Sequence, residues 1–315
     1  MPGKKEFCIV GVDLAQDKFD TYCNGEHRIF PHNKLGLDRF RSWLDTLRGR
    51  IIVAYESTGY LSRPFTRTLM DMGVEWRCLP PSFIRSYAKA MGINAKSDKA
   101  DARVIVEYAQ AKEARHPVAT TRKRLDLQEL EALRQLYIRQ CAHFKTAWAA
   151  YRLEEALGAL RETIAQLEEK ITLLEQQIDA AISEDKELKA RKALYEQEPG
   201  IGSKTARTLV IQMPELGTCS GKQMAALAGL APFEHSSGNM DAPRHIRRGR
   251  KTVRTAMYMA AIAVRRCRSG DVKDFYLRLK AQGKANKVIA IACARKMLLR
   301  LNAAARDLLE RLEAA

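Results

Sequence analysis

The chain has 315 residues, is 46% hydrophobic and 29% charged, and carries a formal net charge of +17. That is enough apolar material for two or three cores. No apolar run approaches the ~18 residues of a membrane span and residues 1–20 lack a signal-peptide pattern, so the expectation is a cytoplasmic protein with no membrane partner. The seven cysteines (8, 23, 78, 141, 219, 267, 293) are scattered, without zinc-like spacing, as free thiols in a reducing cytoplasm would be.

The distribution of charge says more than its sum. Residues 241–300 hold 17 Lys/Arg against 3 Asp/Glu, whereas 151–198 hold 7 against 12. Solubility does not require such clustering; a polyanionic partner does, most simply nucleic acid.

Along residues 1–115 strand and helix signals alternate. Residues 7–14, 19–23 and 28–30 read as an antiparallel meander with Asn24-Gly25 as a hairpin turn. A helix over 37–47, a buried strand over 51–55, a helix over 62–72 and a strand over 74–79 follow. Pro80-Pro81 breaks the chain before helices over 82–90, ended by Gly92, and 99–111. The pattern predicts a mixed α/β sheet. Residues 116–198 form a second segment, free of proline from 118 and with Gly158 as its only glycine. Its apolar positions 153, 157, 160, 164, 167, 171, 174 and 178 alternate steps of four and three, the seam of a coiled coil. An earlier series over 130–151 keeps similar spacing but falls out of phase near 151–153, which predicts a helical hairpin bent near Gly158, either internal or dimerising. Residues 199–315 read as mostly helical, with a loop at 231–249.

Asp13 lies inside an apolar strand, where an unpaired carboxylate costs several kcal/mol, on the order of a buried charge. Glu56 ends the strand over 51–55, and Asp98 and Asp101 lie three apart at a helix start. If the strands over 7–14 and 51–55 are neighbours, these carboxylates meet at one sheet edge. Such a group repels itself unless a hard divalent cation intervenes, and it suits two-metal phosphoryl transfer. The plainer readings are an N-cap for Asp98, a favourable first-turn charge for Asp101, and an ion pair of Glu56 with Arg85.

"GVDLAQDKFD", "AYESTGY", "PSFIRSYAKAMGINAKSDKADARVIVEYA", "PGIGSKTARTLV", "MAALAGLAPFEHSSG" and "RRGRKTVRTAMYMAA" resemble, in that order, the DEDD insertion-sequence transposases, over nearly the whole chain. The resemblance implies a RuvC-like, ribonuclease-H-like domain over 1–115, a coiled-coil oligomerisation segment over 116–198 and a C-terminal transposase domain over 199–315. It implies Mg²⁺, with Mn²⁺ as a substitute, held by Asp13, Glu56, Asp98 and Asp101. It also implies Ser237, after His235 and beside Ser236, as a nucleophile forming a phosphoserine bond to DNA. The implied partners are donor and target duplex DNA, a structured noncoding bridge RNA, and further copies of the chain in a dimer or tetramer.

"PGIG" also resembles a helix-hairpin-helix, which assigns Gly200, Gly202 and Lys204 to a phosphate contact; a plain glycine-rich turn is the alternative. Arg244, Arg247, Arg248, Arg250, Lys251 and Arg254 are expected on nucleic-acid backbone as well. Three rival functions carry less. An actin-like sugar kinase needs a second phosphate loop, and a junction-resolving endonuclease using metal-activated water needs neither Ser237 nor the C-terminal domain. A silent nucleic-acid-binding protein has no use for the carboxylates.

Overall fold

The computed structural model describes residues 7–59, 61–93, 98–111, 121–237 and 240–314, with the backbone alone at 98–99, 234–237 and 240–244. The chain divides into two compact units, Met1–Leu125 and Asp126–Ala315, so the boundary expected at 198 falls inside the second.

The first unit runs β1 (Phe7–Leu14), β2 (Lys18–Cys23), β3 (Glu26–Pro31), α1 (Lys34–Leu44), β4 (Arg50–Glu56), α2 (Ser62–Asp71), β5 (Glu75–Leu79), α3 (Pro81–Ala90) and α4 (Asp98–Ala111). The strand order is β3-β2-β1-β4-β5, antiparallel among β1–β3 and parallel from β1 through β4 to β5. Asn24 and Gly25, at φ 48° and 89°, make the expected tight turn between β2 and β3. Strand alternation separates two cores. Val10, Val12 and Leu14 face α1 and α2, where Phe19 sits 5.5, 5.2 and 5.6 Å from the rings of Phe30, Phe40 and Phe65. Ile9 and Ala54 face the opposite way, onto Ile84 of α3 and Val104, Ile105 and Ala109 of α4.

The second unit continues with α5 (Arg122–Ala147), α6 (Glu154–Ser183), α7 (Lys186–Glu196), α8 (Ser203–Gln212), α9 (Gly221–Leu227), β6 (Pro232–Ser237), β7 (Met240–Ile246), α10 (Lys251–Ala263), α11 (Asp271–Ala281) and α12 (Asn286–Glu313). α12 is the central post: Ile289, Cys293, Met297, Leu298, Leu301 and Ala305 are buried, and the helix packs against α7, α9, α10 and α11. Ile178 and Ile182, from the end of α6, enter the same core.

α5 and α6 pack as an antiparallel hairpin. Arg134 reaches Glu175 at 2.9 Å, Lys145 reaches Glu168 at 2.6 Å, and Arg161 lies over the Trp148 ring at 5.7 Å. The reversal falls at a 3₁₀ turn over 148–150 and an extended stretch over 151–153, not near Gly158, which lies within α6 with open space around it. The expected loop at 231–249 is in large part a β-hairpin, β6 pairing with β7. Residues such as Pro232 and Pro243 suggested irregular chain, but proline is tolerated in a two-stranded ribbon, where every strand is an edge. Among the described residues no helix is long and apolar enough to cross a membrane.

Candidate active site and nucleic-acid interface

β1 and β4 are parallel neighbours with Val12 opposite Tyr55, so Asp13 and Glu56 stand level one step further, at the carboxyl edge of the sheet. Glu56 is opposite Leu79 in β5. α4 crosses the Gly11 face of β1 closely: a Cβ on Gly11 would lie 2.3 Å from the Ala102 carbonyl oxygen and 2.7 Å from Val106 Cγ2. Gly11 thus meets the early part of α4, while Ile9 shares a core with Ile105 and Ala109. This sets the Asp98–Asp101 end of α4 towards the strand ends that carry Asp13 and Glu56. Asp101 is half-buried; the Asp98 side chain lies outside the described residues.

Two neighbours modify this edge. Glu56 Oε1 lies 3.8 Å from Arg85 Nη2 of α3, and that guanidinium is well exposed. The ion pair considered from sequence therefore exists, in a form that solvent screens and a harder cation can displace. Sequence reasoning missed Asp20, the cross-strand partner of Asp13. It is 3% exposed, held by His27 Nε2 at 2.8 Å and Lys18 Nζ at 3.1 Å. Its signal was an acid at a strand position that alternation sends inward. Beneath the edge, burial pushes the Tyr55 hydroxyl well above its usual range, and this phenol meets the Thr66 hydroxyl. Burial likewise pushes Cys23 up to about 12, with Cys8 Sγ at 3.1 Å.

Among the described residues no three His, Cys, Asp or Glu side chains form a ready metal-binding group. The donor chemistry nevertheless fits a hard divalent cation. Asp13, Glu56 and Asp101 offer oxygen ligands from three converging elements, and the nearby exposed cation already answers the charge of Glu56.

In the second unit the structure divides the expected nucleic-acid residues. Gly200, at φ 92°, is packed against α10: a Cβ there would be 2.7 Å from the Ala260 carbonyl oxygen. Its glycine is explained by helix packing. Gly202 precedes the α8 N-terminus with open space beside it, and Lys204 is exposed, 3.7 Å from Glu175. Arg250 is turned inward, forming a fork on Glu215 at 2.6 and 2.5 Å and reaching the Gln212 carbonyl at 2.8 Å. Arg254 donates to the Arg248 carbonyl at 2.6 Å. Arg247 lies over the Phe233 ring at 5.4 Å, and Arg248 and Lys251 are exposed. Ser236 and Ser237 end β6, opposite Asp241 and Met240 of β7. Their side chains, with those of His235 and Arg244, lie outside the described residues.

A mixed sheet edged with carboxylates, followed by a basic helical unit, has the parts that an enzyme processing DNA by phosphoryl transfer requires. Residues 10–157 match a family described as transposase, of the DEDD type found in IS110 elements, and 192–277 match the transposase IS116/IS110/IS902 family. The pilin gene-inverting protein of Moraxella lacunata is 28% identical over 92% of each chain. The transposase for insertion sequence element IS1111A of Coxiella burnetii is 24% identical, covering 93% of this chain and 88% of that one. The chain belongs to the IS110-family DEDD transposases. Its DEDD domain is ribonuclease-H-like, and membership carries DNA as a partner and dependence on a divalent metal.

Proposed function

We propose that this transposase cuts and rejoins DNA through a covalent phosphoserine intermediate, with Ser237 as nucleophile and Mg²⁺ or Mn²⁺ held by Asp13, Glu56, Asp98 and Asp101. The observation that carries the reading is the level register of Asp13 and Glu56 at the ends of adjacent parallel strands, with the Asp98–Asp101 helix laid over that face. Bound divalent ions supply Lewis acidity at a scissile phosphate. The carboxylates fix the ions and, with them, the orientation of the strand to be cut. Ser237 Oγ loses its proton to a base and bonds to phosphorus, while the bond from phosphorus to the departing deoxyribose oxygen breaks. The ester conserves the phosphodiester energy, so ends can be exchanged and resealed.

We further propose that a structured noncoding RNA guides the choice of site, since base pairing supplies the sequence reading that backbone contacts lack. The same reading has the active form as a dimer or tetramer joined through the α6 seam. Similarity to a pilin gene-inverting protein supports recombination rather than simple cutting.

The test is to trap protein on labelled DNA under denaturing conditions. Wild type is expected to form an adduct that Ser237→Ala abolishes and Ser236→Ala retains. An adduct lost only in Ser236→Ala moves the nucleophile by one residue. Absence of any adduct from active protein replaces this chemistry with hydrolysis by metal-activated water.

A further inference from the structure

With Gly200, Arg250 and Arg254 engaged inside the fold, the excess positive charge needs another outlet. From Phe275 to Arg306 there are eight Lys/Arg and no Asp/Glu. Several of the eight are turned onto the protein. Arg278 and Lys296 lie over Phe275 at 5.2 and 5.0 Å, and Lys296 also donates to the Asp271 carbonyl at 3.0 Å. Arg300 reaches Glu198 at 3.2 Å, and Arg306 reaches the Gly217 and Cys219 carbonyls at 3.4 Å. Lys280, Lys284 and Lys287 differ. They stand at the reversal between α11 and α12, where every residue from 280 to 288 is exposed. Among the described residues no carboxylate lies within ion-pair distance of any of the three.

We propose that the α11–α12 reversal is a docking surface for duplex DNA, with Lys280, Lys284 and Lys287 meeting the phosphate backbone. It rests on the reading that this chain acts on DNA and adds where the duplex is gripped. Three unpaired cations in one reversal repel one another and attract a regularly spaced polyanion. The chemistry favours a duplex over a single strand: residues 277–288 contain no aromatic side chain on which an unpaired base would stack. Lysine ammonium groups act here as point charges, without the planar fork that reads a guanine edge, so the contact is blind to sequence. Gly283, at φ 72°, turns the chain with open space beside it, leaving the reversal free for a backbone to approach.

The experiment measures binding of nuclease-treated full-length protein to a 30-bp duplex of arbitrary sequence by fluorescence anisotropy across a salt series. In the triple variant Lys280→Gln, Lys284→Gln, Lys287→Gln, the slope of log affinity against log salt becomes shallower by about 2–3, at roughly 0.9 per lost phosphate contact. Affinity near 100 mM salt falls roughly tenfold or more. A control triple variant, Lys186→Gln, Lys189→Gln, Lys222→Gln, removes the same charge from exposed sites elsewhere and keeps the wild-type slope. An unchanged slope in the first variant, an equal change in the control, or a loss confined to a single-stranded RNA probe overturns the assignment. Thermal melting checks folding, which exposed lysines do not support. Wild type that binds duplex but forms no serine adduct defeats the covalent chemistry alone. Wild-type binding matched by the triple variant defeats this surface alone.

Discussion

Asp13 and Glu56 owe their placing to residues with no charge. Val12 opposite Tyr55 fixes the register of β1 on β4, and a slip of one residue would turn Asp13 towards the aromatic core around Phe19. Gly11 admits α4, and any larger residue pushes it away. In Gly11→Ala the new methyl would lie 2.3 Å from a backbone oxygen, an overlap that only movement of α4 relieves. The expected cost is about 1–3 kcal/mol, seen as a lower melting temperature, with DNA processing reduced further than stability alone accounts for because Asp101 moves with its helix. A variant as stable and active as wild type would show that α4 does not hold Asp101 in place.

At the scale of elements, the α5–α6 hairpin combines two kinds of contact. At its base Arg134 is buried with Glu131 at 2.8 Å and Glu175 at 2.9 Å, Leu174 is buried, and Ile178 and Ile182 join the core of the second unit. Towards the reversal the seam is only half covered within one chain: Leu157, Leu160, Ile164, Leu167 and Ile171 are partly exposed and Leu153 is 66% exposed. A second copy of α6 would complete that burial. Replacing Leu160, Ile164, Leu167 and Ile171 with polar residues removes about 1.5–3 kcal/mol of burial apiece where the seam is covered. The variant is expected to sediment as a smaller species than wild type. An unchanged mass would leave the seam as internal packing only. The periodicity of this helix was legible in sequence because heptad spacing is local. Its reversal was half legible: the loss of phase near 151–153 marks where the chain turns, but the bend was expected near Gly158, because no glycine or proline stands at 151–153 itself.

Across the whole molecule, what could be read in advance was what local pattern encodes. Apolar strands ended by acids gave the sheet and its edge, and the clustered positive charge gave a nucleic-acid partner. What escaped was direction. Composition counts Arg250 and Lys284 alike, yet one is forked on Glu215 and the other, exposed, has no carboxylate at ion-pair distance among the described residues. Gly200 and Gly202 belong to one short motif, but α10 covers the first and leaves the second open. Asp20 was overlooked because its partners, Lys18 and His27, come from the meander itself and give no motif. The hairpin over 232–246 was hidden because β6 and β7 pair only with each other, so no long apolar run announces them.

The carboxylates of the sheet edge come from three separate elements, β1, β4 and α4, with some ninety residues of sequence between the first and the last. Unfolding scatters them, so an ion held there binds the folded chain alone and is linked to its stability. Such linkage amounts to about 2.7 kcal/mol when the free ion is a hundredfold above its dissociation constant. Melting of the wild-type protein should therefore shift upward with added Mg²⁺ or Mn²⁺, and the shift should shrink in Glu56→Gln, with no DNA present and no turnover required. A melting temperature indifferent to both ions in wild type would count against a metal centre at this edge. If an ion is held at this edge, a chain whose α4 has not yet docked would present Asp13 and Glu56 without Asp101, and would hold that ion less tightly until the domain is complete.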